Sequence, residues 1–497
     1  MSDRVRQLAG HFSDTPNAAN TAPYQVSEQP LGTTRHVRIV TIGAGMSGLN
    51  MIRTLRLHLT DFEHVVYEKN PEIGGTWFEN RYPGCKCDVP SHNYQFSWRP
   101  NPEWAGFFST ATDIQAYLCR VCEEEGMREV IKLRRQVNRA EWDESNCVWK
   151  LKILDLEDNS EFDDSCHFLL DSSGILNHWK WPKIPGLQKF EGDLIHSADW
   201  PSGFDYNDVK ELVHFVREPT WVVPGRLQLL AQGAAGGILG EVGMRENADF
   251  TEAQIERFKT DPIFYKKFVK AVEEVVNGNF PIEKATEYMK EALGGDERLC
   301  NAIIPKFPLG CRRLTPAVDY LWALRKSNVR VVTDPIASIE AKGLRTETVP
   351  DFPNYFMFLG PNAPIGHGSV FTITEHIAKY LVRIIKKCQT EGISAIAPQH
   401  SAVDELFEHT QTFMPRTAWS GNCISWFKGG TIDGPVTALH PGSRIHFFHM
   451  LENFRGEDWE YTRVNKQNRF QFLGNGFSTK ELGNEDATWY LDEPDKI

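Results

Sequence analysis

Val37-Arg38-Ile39-Val40-Thr41-Ile42-Gly43-Ala44-Gly45-Met46-Ser47-Gly48 sets the architecture of this chain. A short β-branched run ends at a glycine, and a helix is expected over about Ser47 to Leu57. His64-Val65-Val66-Tyr67 reads as the next strand and ends at Glu68. Strand, turn, helix, strand is the opening unit of a doubly wound α/β sheet. Gly43 permits the tight turn, Gly45 lets the backbone approach a pyrophosphate, and Gly48 lets helix and strand pack closely. The positive helix N-terminus then faces the phosphates. Glu68 follows Gly48 by 20 positions (68 − 48), where a carboxylate can accept ribose hydroxyls. The glycines alone leave FAD and NAD both open.

At 497 residues the chain is too long for one ordinary core, so two or three packed units are expected. Hydrophobic content of 41% and charged content of 24% are those of a soluble globular protein. A net charge of −12 argues against a broad nucleic-acid surface. No apolar run approaches the roughly 18 residues of a spanning helix, so no membrane partner is expected. Met1-Ser2-Asp3-Arg4-Val5-Arg6 is not followed by an apolar signal region. Ten cysteines in a chain of this size are no disulfide framework, which predicts a reduced, cytoplasmic protein. Cys119-x-x-Cys122 falls in a helical stretch without a second pair, and packing is the better reading than metal.

Val148 to Ile153 and Phe168 to Leu170 read as strands, the latter running into Ser172-Ser173-Gly174. Asp261-Pro262 caps a helix in which Phe264, Phe268, Ala271, Val272 and Val275 recur at helical spacing. With a second helix from about Ile282 to Leu293, it reads as an insertion walling a substrate cavity. Val329 to Val332 and Phe356 to Leu359 return to strand, and Thr374 to Lys387 is helical.

Three further stretches carry the chemistry. Gly74-Gly75-Thr76-Trp77 leads to Tyr82-Pro83-Gly84-Cys85-Lys86-Cys87-Asp88, and Phe190-x-Gly192-x-x-x-His196-x-x-x-Trp200-Pro201 comes later in the chain. Together with the glycine turn they resemble the fingerprint of Baeyer–Villiger monooxygenases, flavoproteins that insert oxygen beside a ketone. The resemblance covers most of residues 36–461. It implies FAD and NADPH as cofactors, and a small-molecule ketone and O2 as substrates. It places Thr76 and Trp77 along the flavin, Lys86, Cys87 and Asp88 in the same motif, and Tyr94 close by.

Phe307-Pro308-Leu309-Gly310-Cys311-Arg312-Arg313-Leu314 resembles the segment that carries the family's catalytic arginine, with Arg313 at the matching position. A fixed guanidinium keeps the attacking oxygen deprotonated and stabilises the oxyanion that forms next. Asp88 would be its carboxylate partner. His196 belongs to a stretch that couples domain movements in relatives, not to an acid or base. Trp200 favours Baeyer–Villiger chemistry over the alternative reading, an N- or S-oxygenating flavin monooxygenase, since those enzymes usually carry Tyr or Phe there. The motifs are in the style of fungal members serving secondary metabolism, so a polyketide-type ketone is the expected substrate class.

The implied architecture is α/β, with two Rossmann-like dinucleotide-binding domains, the second truncated, and a helical insertion. Residues 1–35 would be a flexible arm, 36–200 the first part of the FAD domain, and 201–330 a remnant NADP domain with the insertion. Residues 331–475 would complete the FAD domain and substrate cavity, and 476–497 form an acidic tail.

Two departures stand out. Phe204-Asp205-Tyr206 runs directly into Leu212-Val213-His214-Phe215-Val216-Arg217, where relatives first have a strand, a second Gly-x-Gly-x-x-Gly and a helix. Gly233-Ala234-Ala235-Gly236-Gly237 has neither the spacing nor a strand before it, and reads as a loop. Arg217 matches a residue that reads the 2′-phosphate of NADPH, but Glu218 beside it repels phosphate. A second gap comes after Gly343-Leu344-Arg345-Thr346, where relatives carry a strand ending in Ala-Thr-Gly. The NADPH site is therefore incomplete as written. Either the chain is a variant or degenerate flavin binder, or its coding sequence was read without two in-frame blocks. Deletions inside strands leave paired backbone groups without partners, which favours the second.

Overall fold

The computed structural model describes residues 24–482 except 176, 178, 182–186, 188–189, 191, 202, 205–208, 217–218, 224–235, 243–248, 277–281, 313, 318, 333–351 and 367, together with 488 and 491. Arg217, Glu218, Arg313 and the gap after Thr346 lie outside the described residues.

Val37–Ile42 (β1) has side chains buried on both faces, which is why it reads as a nearly continuous apolar run. It is followed by helix Met46–His58 (α1), strand Phe62–Tyr67 (β2), the short helix Thr76–Glu79 (α2) and helix Ala111–Glu124 (α3). Thr110 accepts from the Asp113 amide and Asp113 accepts in turn from the Thr110 amide, so α3 starts at a capping box. Ile131–Lys132 (β3) precedes an antiparallel sheet of Arg135–Asp143 (β4), Val148–Asp155 (β5) and Glu161–Cys166 (β6), after which Phe168–Asp171 (β7) rejoins the main sheet. Next come Leu212–Phe215 (β8), Val222–Val223 (β9), Thr315–Pro316 (β10), Val329–Val332 (β11) and Tyr355–Met357 (β12).

The main sheet is parallel, in the order β12-β7-β1-β2-β3, with Val40 opposite Val65 on one side and Leu169 on the other. Successive side chains of β1 serve opposite faces. Val37 and Ile39 join Met51 and Leu55 of α1 and Ile377, Leu381 and Ile385 of a long helix, whereas Val40 joins Trp149, Leu151 and Ile153 of β5. That long helix spans Val370–Thr390, wider than the expected Thr374 to Lys387, because Ser369 caps it by accepting from the Phe371 amide.

Helices Gly236–Val242 (α4), Glu252–Thr260 (α5) and Pro262–Val276 (α6) make the insertion, and Asp261 caps α6 by accepting from the Phe264 amide at 2.9 Å. Gly236 and Gly237, expected in a loop, open α4. Ile282–Ala292 (α7) packs in a separate core with Trp221, Val222, Val223, Leu299, Leu321 and Val331. In that second unit β8 pairs with β11, and β9 with β10, both in parallel.

Two expectations change. Residues 24–35 do not all behave as a loose arm: the Leu31 amide donates to Phe477 O at 2.7 Å and Thr479 N donates to Leu31 O at 2.9 Å. Cys311 and Cys423 form a disulfide, Cα–Cα 6.3 Å, where reduced thiols were expected. It fastens the apolar loop before Arg312 to the segment around Trp426, so it joins two loops rather than framing a small domain.

Candidate active site

The glycine turn is built by close backbone contacts. Gly43 has φ +98°, and a Cβ there would fall 2.6 Å from Ser172 O. A Cβ on Gly48 would lie 2.2 Å from Gly43 O, so helix and strand approach closer than any side chain allows. Gly45 is the N-cap of α1 and offers no side chain to its first amides. Gly75, at φ +56°, comes against it: a Cβ on Gly75 would be 3.2 Å from Gly45 Cα, and Gly74 N donates to Ala44 O at 3.0 Å. Two side-chain-free turns thus form one cradle.

Glu68 stands at the end of β2, almost fully buried. Its Oε2 accepts from the Ala44 amide at 2.7 Å and its Oε1 from the Asn70 amide at 2.9 Å. Burial pushes its carboxyl above the usual carboxylate range, against those two bonds. Each oxygen retains a second lone pair for a hydroxyl donor.

Ala44, Trp77, Cys87 and Tyr94 share one core cluster, so the structure brings together three of the expected motif positions and the turn. Tyr94 meets Trp77 edge-on at 5.5 Å and Phe371 at 4.9 Å. Cys87 N donates to Ser109 O at 2.9 Å, which draws the motif's second half onto the start of α3. Asp88 is half-buried, while Lys86 and Thr76 are exposed. Cys122 is buried and its thiol pushed up to about 11, a packing residue rather than a thiolate. Among the described residues no group of three or more His, Cys, Asp or Glu could hold a metal. His196 stacks on Trp179 at 4.4 Å in a surface aromatic cluster, with Trp181 edge-on.

Residues the sequence did not single out also shape the site. Ser172 closes on Gly43, and its hydroxyl is buried without a hydrogen-bond partner, as is the Trp77 indole N–H. Asn93 Nδ2 donates to Glu273 Oε2 at 2.7 Å, and Arg444 pairs with Glu273 Oε1, tying the loop after Asp88 to α6 and to the C-terminal segment. A strand ending in Ser172-Ser173-Gly174 is a signal for the first. The second joins positions too far apart in sequence to leave one.

These features fit FAD: a cradle that a Cβ would fill, an uncapped helix start, a carboxylate at the strand end and buried donors without partners. A nicotinamide cofactor fits poorly. Among the described residues the second unit shows two parallel two-stranded pairs and no strand, glycine turn and helix in succession, and Leu212 and Phe215 of β8 are about half exposed, 52% and 53%.

Residues 41–111 match the family model of the NAD(P)-binding Rossmann-like domain. The chain is 33% identical, over 521 aligned positions, to the FAD-binding monooxygenase moxY of Dothistroma septosporum, covering 90% of this chain and 83% of the relative. It belongs to the Baeyer–Villiger-type FAD-binding monooxygenase family. A Baeyer–Villiger monooxygenase of Streptomyces coelicolor is 28% identical over 83% of this chain and 90% of its own. Cyclohexanone monooxygenase from Rhodococcus sp. Phi1, solved bound to NADP+, has the same fold at TM-score 0.64 and 20% identity, over 88% of this chain and 100% of that one. This family member is thus an enzyme of the monooxygenase class.

Proposed function

We propose that the chain inserts one atom of O2 beside the carbonyl of a small-molecule ketone, giving an ester or lactone in an FAD-dependent reaction. What carries this reading is the paired turn of Gly45 and Gly75 backed by Glu68 and Trp77, within a chain of this family. Bound FAD would relay two electrons from an external reductant to O2, so that one oxygen atom enters the product and the other leaves as water. The α1 amides beyond Gly43 and Gly45 would hold its diphosphate, and Glu68 would accept from its ribose. Thr76 and Trp77 would flank the ring system, with Tyr94 fixing the indole edge-on. Lys86 and Cys87 would continue that wall.

Asp88 would orient Arg313, and the Arg313 guanidinium would hold negative charge at the carbonyl oxygen under attack. A charge pair at about 4 Å is worth on the order of 4 kcal/mol at an effective dielectric near 20, enough to govern the rate. A polyketide-type ketone is the substrate class we favour, supported by the fungal secondary-metabolism style of the motifs and by fungal relatives. NADPH is the reductant the family resemblance suggests, and Arg217 would be its phosphate contact. Given the second unit's poor fit, no step is routed through it.

The test is ester formation from a panel of polycyclic and linear ketones by flavin-loaded protein, with the two electrons of each turnover supplied by NADPH in one arm and by chemical reduction of the flavin before oxygen is admitted in the other. Arg313→Ala should lower ester formation by about a hundredfold or more at unchanged flavin content. Equal ester formation by wild type and variant, or a colourless wild type, would overturn the proposal. A second reading is favoured by the second unit alone: a flavin-binding paralogue that oxygenates nothing. It predicts yellow protein without product even after chemical reduction.

A further inference from the structure

Away from the glycine cradle, the N-terminal stretch of chain meets the C-terminal segment and leaves a cavity of about 290 Å³. Arg35, Arg463 and Arg469 all line it, with Glu391, Asn465 and Gln471. Three arginines on one small cavity stand against the chain's net charge of −12, which makes the average surface acidic. The single carboxylate among these six does little to offset them, since both Glu391 oxygens accept from Lys387 Nζ at 2.6 Å. The cavity is also framed by a polar side chain whose acceptor is already engaged. Asn465 Oδ1 accepts from the Gln467 and Asn468 amides at 2.8 and 3.1 Å, which leaves its amide N–H groups as donors.

The walls are held by contacts that span the chain. Arg35 N donates to Gln389 O at 3.2 Å, Gln389 Nε2 donates back to Arg35 O at 3.1 Å, and Arg35 Nη2 reaches Ile393 O at 3.1 Å. Arg463 leans on the Tyr461 ring, 5.6 Å from its centroid. Arg463 Nη1 also donates to Glu391 O at 3.4 Å, so the Arg35 and Arg463 side chains are held by backbone carbonyls and a ring, while Arg469 lines the same cavity from an exposed position. Like charges so placed favour an anion between them. The volume is close to the lower end of small-molecule sites and too small for a dinucleotide.

We propose that this seam binds a small phosphate-class oligoanion, clamped between the N-terminal and C-terminal segments and independent of the flavin and nicotinamide sites. The probe is pyrophosphate, titrated calorimetrically into the full-length protein as purified, at ionic strength held constant with chloride. Expected are saturable binding that persists with excess FAD and NADPH present, a raised Tm, and an affinity lowered about tenfold or more in both Arg469→Gln and Arg463→Gln. Arg469 is exposed, so its variant keeps the fold intact and separates lost binding from lost structure. Heat no larger than that of the chloride-matched control would overturn the proposal, as would competition by either cofactor or equal binding by wild type and Arg469→Gln. Sulfate binding as tightly as pyrophosphate would overturn the oligoanion preference.

Discussion

A methyl group added at Gly45 would rest 3.7 Å from Gly75 Cα, ordinary van der Waals contact, and the backbone there has a φ of −77° that alanine adopts readily. The same methyl at Gly48 would fall 2.2 Å from the Gly43 carbonyl oxygen, and something must shift. The two substitutions therefore separate folding from binding. Gly45→Ala should fold with an unchanged Tm when flavin-free yet bind FAD about tenfold or more weakly, because only an approaching diphosphate meets the new methyl. Gly48→Ala should lose about 2 kcal/mol of stability whether or not flavin is present, from overpacking between strand and helix. Urea unfolding of flavin-free protein and fluorescence titration with FAD distinguish them. A Gly45→Ala variant that retains wild-type flavin affinity would remove Gly45 from the site.

At the scale of elements, the insertion shows what spacing reveals and what it hides. The recurrence of Phe264, Phe268 and Val272 marks α6 and its buried face. What that face grips is His92, whose ring lies 5.0–5.5 Å from those of Phe250, Phe258, Tyr265 and Phe268. A partner so distant in sequence is set by tertiary packing, and periodicity is blind to it. Burial holds the His92 imidazole down at about 3, from an ordinary value near 6.5. In that interval the unfolded chain binds a proton that the folded chain refuses, so stability rises with pH through the window and is lost as pH falls below about 6.5. At pH 5 a single such histidine takes away about 2 kcal/mol relative to pH 8. His64, on β2, is likewise held at about 3 and adds its own share. Replacing the ring by Phe in His92→Phe should shallow the loss between pH 8 and pH 5 by that amount without abolishing it, measured as urea midpoints at both pH values. An unchanged slope would show that the cage opens before it titrates.

Over the whole molecule, the first dinucleotide unit was legible almost entirely, since its turn, helix and carboxylate are contiguous and each has a steric reason. Arg217 and Arg313 rest on resemblance alone. The second unit was legible mainly through the stretch beyond Trp200-Pro201, where the strand β8 comes without a glycine turn before it. An alignment of 521 positions to a relative must leave positions where this 497-residue chain has no residue, which agrees with missing blocks. A phosphate cradle normally gives several charge-assisted hydrogen bonds, and losing two at roughly 1.5–3 kcal/mol each weakens binding by about a hundredfold or more. If Glu218 lies beside that phosphate, as the resemblance implies, its charge would act in the same direction. Dithionite, which needs no binding site, should therefore bleach the flavin fully under anaerobic conditions, while NADPH at the same concentration bleaches it at least about a hundredfold more slowly. Restoring a strand–turn–helix block after residue 204 should recover the NADPH rate and leave the dithionite rate alone. Rapid, saturable bleaching by NADPH in the chain as it stands would mean that β8 and its neighbours hold the cofactor by contacts other than a glycine turn.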